Sequence, residues 1–572
     1  MDSLSNFPMP QMNITASEIK QVIKLTLESI QFEQFLSEWE KNLDHLSLLH
    51  SDFIERIKEK ENWTTEEFIH KLLSNRESIP NSTSVPFLLK QSQNHKDQTY
   101  YVSCLAMIIG ILKSDDSVLK KYDNTKFSSL ILESTQQSNM FSCRIPGKTK
   151  DTIYEDEKSK HALVLFKGCV FIVYILSSKG ETLNFSEIYG QIKAITNYDG
   201  KLIPSVCKFT SLKRNKWNEI RENLLEKKRK SLKFMESSIA TVIIEDRDCP
   251  SEYHEAIDHV KFGDKSGNMR YYDQIVNITV YKNCVAGLLL EHTVVDGYLM
   301  YVICQSLYYM GETCGEKTLI KKSFDEIKFN FNPIFFNLDD IEFDRSLCVS
   351  NNMKYFDFFG YEDTFTILKE QRLYEVWINF SLQLAIKRTF GTLKFLLVTP
   401  THVRHFKNGR TNPTYIITKK SVKFLEELNS NPSSNEIINT FVEAVKEHKN
   451  KIKITKMGYS NGPHIGQFRN WLSNDGNILK ALMEIFWSPS IYLTGYESAK
   501  GIDFATSNMY ATNQLHVNYF GSENSVRIIM NANGILEKKL IELKNNFLKA
   551  MFDVQTVATK TAIALQMNAL KN

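Results

Sequence analysis

The run Ala286-Gly-Leu-Leu-Leu-Glu-His292 is apolar until its last two residues, and Asp296-Gly297 follows four residues on. A Leu-rich stretch of this length reads as a buried strand whose polar end leaves the core. The pattern then predicts a turn and a helix carrying Tyr298, Leu299 and Tyr301. An imidazole fixed at a strand end, with an ordinary pKa near working pH, is suited to take a proton from a hydroxyl. Asp296 is a candidate partner for the ring or for a nearby cation, and Gly297 admits a tight turn. The same spacing also suits a structural histidine satisfied by its surroundings, so the rest of the chain has to decide.

The elements that must position this histidine follow from composition and periodicity. A chain of 572 residues, 42% hydrophobic and 24% charged, reads as globular with two domains. Its net charge of +4 is dispersed, with no basic cluster interleaved with aromatics, which argues against nucleic acid as a partner. Nine cysteines without a Cys-x-x-Cys pair point to reduced thiols, and 13 scattered histidines lack metal-ligand spacing, so no metal is expected. Gly-x-Ser-x-Gly is absent and no cysteine sits in a nucleophile's setting. Residues Met1 to Gln11 resemble neither a secretory signal nor an Arg-rich transit peptide, and Ala-Leu-Lys571-Asn572 is not a peroxisomal tripeptide. The most apolar run, Ala162 to Leu176, is broken by Lys167-Gly168 and reads as a β-hairpin, leaving no transmembrane segment. A cytoplasmic or organelle-matrix protein is the expectation.

Along the chain, Thr15 to Asn75 is helical and Arg76 to Pro86 reads as a linker with two prolines. Helices are predicted over 100–113, 183–197, 212–230, 373–390, 437–449 and 536–551. Strands are predicted over 238–245, 274–281, 395–398, 502–507, 515–520 and 526–532. Alternation of the two indicates an α/β fold. The Phe/Asn/Asp-rich stretch 324–347 reads as a second crossover.

Eight short segments, in order, resemble one family, the choline/carnitine acyltransferases. They are Trp63 with Leu72-Leu-Ser-Asn-Arg76, Phe141-Ser-Cys-Arg-Ile-Pro-Gly147, Thr210-Ser-Leu-Lys-Arg-Asn-Lys-Trp217 and Arg270-Tyr-Tyr-Asp273, a degraded Arg-Trp-Phe-Asp. The others are Glu291-His292 with Asp296-Gly297, Gly409-Arg-Thr411, Ala505-Thr-Ser507 and Phe520-Gly521. The resemblance implies two domains like chloramphenicol acetyltransferase, each a mixed sheet flanked by helices, with an active-site tunnel between them. It places one domain at 86–340, carrying His292, and the other at 1–85 plus 341–572. It implies a monomer that binds no resident cofactor, takes acyl-CoA as co-substrate and transfers the acyl group to a small cationic alcohol.

In that frame His292 is the base and Ser507 stabilises the oxyanion, with Asp296 the third catalytic candidate. Lys369 falls on the second position of the family's CoA-binding lysine pair, with Arg372 close by, whereas Phe365 occupies the first. On the acceptor side Phe520 matches the aromatic that packs on a trimethylammonium. The positions that hold the carboxylate of carnitine read Val398, Thr411, Pro463 and Ala505, so only the threonine of that clamp remains. The position that sets acyl length reads Asn518. Two readings stay open: an active O-acyltransferase, and a catalytically impaired descendant that binds acyl-CoA.

Overall fold

The computed structural model describes residues 4–121, 134–200, 205–263, 269–314, 333–334, 352–359, 362–430, 436–459, 462–472, 477–487, 490–496, 501–506, 513–521 and 525–569. The crossover predicted at 324–347 and the candidate Ser507 lie outside them. Two compact units emerge: Glu67–Ser350 with Ala499–Tyr510, and Met1–Glu66 with Asn351–Ser498 and Ala511–Asn572.

The first unit contains β1 (Ser84–Leu89), β2 (Cys143–Ile145), β3 (Thr152–Tyr154), β4 (His161–Phe166), β5 (Cys169–Tyr174), β6 (Thr241–Ile244), β7 (Val276–Val280) and β8 (Ala286–Glu291). The second contains β9 (Asn352–Phe359), β10 (Leu396–His402), β11 (Thr411–Tyr415) and β12 (Ser490–Tyr496). The chain then supplies β13 (Ile502–Ala505) to the first unit and finishes the second with β14 (Gln514–Gly521) and β15 (Ser525–Ala532). The first unit's seven-stranded sheet runs β13-β1-β8-β7-β6-β4-β5, and the second unit's six-stranded sheet runs β9-β15-β14-β12-β10-β11.

Both sheets follow one plan. From β1 to β5 the pairings are antiparallel, antiparallel, parallel, parallel, antiparallel. From β9 to β11 the same five pairings recur in the same order. Each is a mixed sheet flanked by helices, as expected.

Local chemistry accounts for the frame around β8. The β4–β5 hairpin closes on Lys167 (φ 48°) and Gly168 (φ 80°), both left-handed, as a two-residue turn between right-twisted strands requires. All six residues of β8 are buried. A Cβ on Gly287 would lie 2.3 Å from Val260 Cγ2, so the missing side chain lets the helix Tyr253–Phe262 seat on this strand.

Two boundaries differ from the sequence reading. The unit division falls after Glu66, not after Val85, because the Leu72 and Leu73 carbonyls accept from Arg144 and Asp151, and Arg76 donates to Asp151, all in the first unit. The supposed linker also contains the start of β1, including Pro86. Proline is tolerated there because its carbonyl faces Thr506, just past the end of β13, so its missing N–H removes no bond to β8.

Candidate active site

His292 is the first residue after β8 and begins the turn 292–296 that leads to the helix Gly297–Thr313. Its backbone N–H donates to the Thr83 carbonyl at 2.9 Å. Its ring Nδ1 lies 2.6 Å from the Val295 carbonyl. A carbonyl oxygen only accepts, so Nδ1 carries the hydrogen and, in the neutral ring, Nε2 holds the lone pair. That is the tautomer a general base needs.

Asp296, a candidate partner for the ring or for a nearby cation, stands at the start of the following helix. Its Oδ1 accepts from Leu299 N at 3.0 Å and caps the following helix, and its own N–H donates to Gln136 Oε1 at 3.1 Å. The ring is held by backbone, and Asp296 fixes the helix behind it.

Beneath the turn lies a buried chain of alternating charges. Glu291 Oε1 meets Arg144 Nη1 at 3.0 Å, and Arg144 Nε meets Asp151 Oδ2 at 2.8 Å. The same Asp151 oxygen accepts from Arg214 Nε at 2.6 Å, and its other oxygen accepts from Arg76 Nη2 at 2.9 Å. Arg214 Nη1 continues to Asp273 Oδ1 at 2.7 Å, where Trp217 Nε1 donates to Oδ2 at 2.6 Å. Three guanidinium groups thus balance three carboxylates. Apart from Asp151, these residues come from five of the segments that carried the family resemblance, so those motifs have a structural duty. Burial lifts the Asp273 carboxyl to about 6, against the pull of Arg214. The arginines beside Asp151 hold its carboxyl below the usual range although burial opposes them. Arg270 has its own duty: it bonds the Val260 and His259 carbonyls at the end of the helix Tyr253–Phe262 and pairs with Glu245 at 3.1 Å.

Ala505 ends β13 and pairs with Phe87 of β1, the strand beside β8. The remaining acceptor and CoA candidates belong to the second unit. Val398 is buried on β10 between Tyr415 and Tyr492, and Thr411 is exposed at the far end of β11, opposite His402. Phe520 lies on β14 opposite Tyr496 on one side and Arg527 on the other. Arg527 pairs bidentately with Asp357 of β9, at 2.7 and 3.0 Å. Neither residue of this pair was apparent as a site neighbour in the sequence, because only strand register brings them beside Phe520. Asn518 is buried on the same face as His516 and Phe520, opposite Thr494 and Ile529. Lys369 lies over the Tyr374 ring at 5.2 Å, and the exposed Arg372 sits in a left-handed turn (φ 54°) just beyond. Phe365 is fully buried against Tyr374 and Trp377, which explains why the first lysine position cannot carry a cation.

Burial pushes the thiols of Cys207 and Cys249 up to about 12 and that of Cys284 to about 11, so none is a ready nucleophile. Among the described residues no group of three or more His, Cys, Asp or Glu could hold a metal ion, and no helix is long and apolar enough to cross a membrane.

The fold is thus two mixed α/β units, one of which holds a histidine ring at the end of a strand. Residues 7–525 match the family described as choline/carnitine o-acyltransferase, and the chain belongs to that family. It is an acyltransferase of this group, whose reaction is acyl transfer with an alcohol as acceptor. It is 24% identical to rat choline O-acetyltransferase over 72% of this chain and 69% of that one. It is also 24% identical to the mitochondrial carnitine O-palmitoyltransferase 2 of Macaca fascicularis, over 84% and 80%. Bovine peroxisomal carnitine O-octanoyltransferase is 25% identical over 62% and 60%.

Proposed function

We propose that the protein is an acyl-CoA-dependent O-acyltransferase acting on a small, cationic alcohol, with His292 as general base. The observation that supports this most is the 2.6 Å contact of Nδ1 with the Val295 carbonyl, which leaves the lone pair of a neutral ring on Nε2. In the forward direction His292 takes the acceptor's hydroxyl proton as the oxygen attacks the thioester carbon. It returns the proton to the CoA sulfur as the tetrahedral intermediate collapses. Ser507 donates to the oxyanion, a contribution worth roughly 3–4 kcal/mol for one such donor. Asp296 supports the base through the helix it caps. Lys369 and Arg372 serve the phosphates of CoA. Phe520 receives the acceptor's cation, and the charge of neighbouring Arg527 is offset by Asp357.

The acceptor differs from carnitine, because the carboxylate clamp retains only Thr411, which is exposed, while Val398 and Ala505 are apolar and buried. That same erosion supports a second reading, a member that binds acyl-CoA without turnover. Thiol release from acetyl-, octanoyl- and palmitoyl-CoA against carnitine, choline and a panel of amino alcohols separates the two. Turnover with a non-carnitine acceptor supports the first. Silence across the panel with calorimetric binding of acyl-CoA supports the second.

A further inference from the structure

The turn 292–296 belongs to neither strand nor helix, so beyond the bond from the His292 N–H to the Thr83 carbonyl its two ends need further support. Side chains supply it at both ends. At the near end Glu291 folds onto its own chain. Its Oε2 accepts from Thr293 N at 2.9 Å and its Oε1 from Thr293 Oγ1 at 2.5 Å. Arg144 Nη1 donates to that same hydroxyl oxygen at 2.9 Å while reaching Glu291 at 3.0 Å. It also reaches Thr83 Oγ1 at 3.3 Å, on the residue whose carbonyl receives the His292 N–H. At the far end Gln136 Oε1 takes the Asp296 N–H at 3.1 Å. Thr293, Glu291, Arg144 and Gln136 are all at least nine-tenths buried, so these bonds form away from water.

We propose that Thr293 and Gln136 are positioning residues for His292: they clamp the two ends of the turn so that the Val295 carbonyl meets Nδ1 and fixes the ring's tautomer. The inference rests on His292 being the base. The Thr293 hydroxyl closes a triangle with Glu291 and Arg144 that locks the residue directly after the histidine. The Gln136 amide locks the residue directly after Val295. Neither side chain touches the ring. Their effect is on where its lone pair points, and small misplacements at a reacting centre are expensive in rate.

The test uses Thr293→Val, Thr293→Ser and Gln136→Leu in the full chain. Thr293→Val keeps shape, keeps the bond from residue 293's N–H to Glu291, and leaves Arg144 and Glu291 paired with each other, so the fold is retained. The expected result is a fall in kcat of about 10- to 100-fold with KM within about twofold, and recovery in Thr293→Ser, which restores the hydroxyl. Gln136→Leu falls in the same direction. Ring ¹⁵N shifts of His292, assigned by their loss in His292→Gln, give a readout that needs no turnover. Wild type shows a single tautomer with the hydrogen on Nδ1, and Thr293→Val shows a mixture. An unchanged tautomer in Thr293→Val overturns the proposal whatever the turnover, as does a kcat equal to wild type. If wild type itself transfers no acyl group, the functional reading fails, and the ¹⁵N spectra still decide the positioning role.

Discussion

Replacing Arg214 by methionine tests whether the buried charges under the catalytic turn are held by balance. Wild type sets Arg76, Arg144 and Arg214 against Asp151, Asp273 and Glu291. Arg214 is fully buried and spans Asp151 at 2.6 Å and Asp273 at 2.7 Å. Its removal leaves two guanidinium groups for three carboxylates, and breaking a buried pair in this way costs about 3–5 kcal/mol. The double variant Arg214→Met/Asp273→Asn restores balance at two and two. The amide oxygen of the new side chain at position 273 still accepts from Trp217, so at least half of the loss should return. The cost also depends on pH. Asp273 titrates at about 6 in the fold against 3.8 in the unfolded chain, so its ionised form destabilises above pH 6 and that contribution vanishes as pH falls toward 3.8. Without Arg214 the carboxyl rises further, so the single variant is relatively less impaired at pH 5 than at pH 8. Hydrogen exchange of the β7 and β8 amides, followed by mass spectrometry, reads the opening free energy of this unit without requiring a single two-state transition. A single variant within about 0.5 kcal/mol of wild type would refute the reasoning, because that is the range of an ordinary surface change.

Acid should open the second unit. Burial lowers His464 to about 3 and His516 to about 4, so both are neutral when folded and protonate near 6.5 when unfolded. Each then removes about 1.4 kcal/mol per pH unit below 6.5, or about 4 kcal/mol together at pH 5, and a flat exchange profile between pH 7 and 5 contradicts this. Gly409→Ala should lose at least about 2 kcal/mol, read by the same method on β10 and β11, because the new Cβ would lie 2.1 Å from the Val403 carbonyl oxygen and 2.9 Å from Arg404 Cα. Asn518→Gly removes a buried side chain at the position that the resemblance ties to acyl length, and should move the chain-length profile toward longer acyl-CoA. A profile identical to wild type would separate Asn518 from acyl selection.

The sequence was most readable where periodicity and turn chemistry agree. The hairpin at Lys167-Gly168, the helix capped by Asn184 and Glu187, and β8 ending just before His292 all sit where their patterns put them. Long-range register was not readable. β1 was hidden by Pro86, whose tolerance depends on where β13 stops, far along the chain. β9 and β12 and the edge strand β11 were missed because their partners set their state, and Pro413 obscured β11 further. In the site, His292 stood out because its residue type at a strand end has a chemical meaning. Thr293, Gln136 and Thr83 did not, since a threonine or glutamine gains a role only from what folding brings against it. The arginines of the buried network, with Asp273 and Glu291, were visible as motifs, but Asp151 and the pairing among them, and hence their structural duty, were not.

The central claim is that His292 takes the acceptor's proton through Nε2. The most direct measurement is steady-state thiol release by His292→Ala beside wild type, on the acceptor that the panel identifies, with acyl-CoA binding checked by calorimetry in both. Loss of at least about a hundredfold in kcat with binding retained is the predicted result, in line with the contribution of a positioned general base. A variant that binds acyl-CoA and turns over as fast as wild type would contradict it.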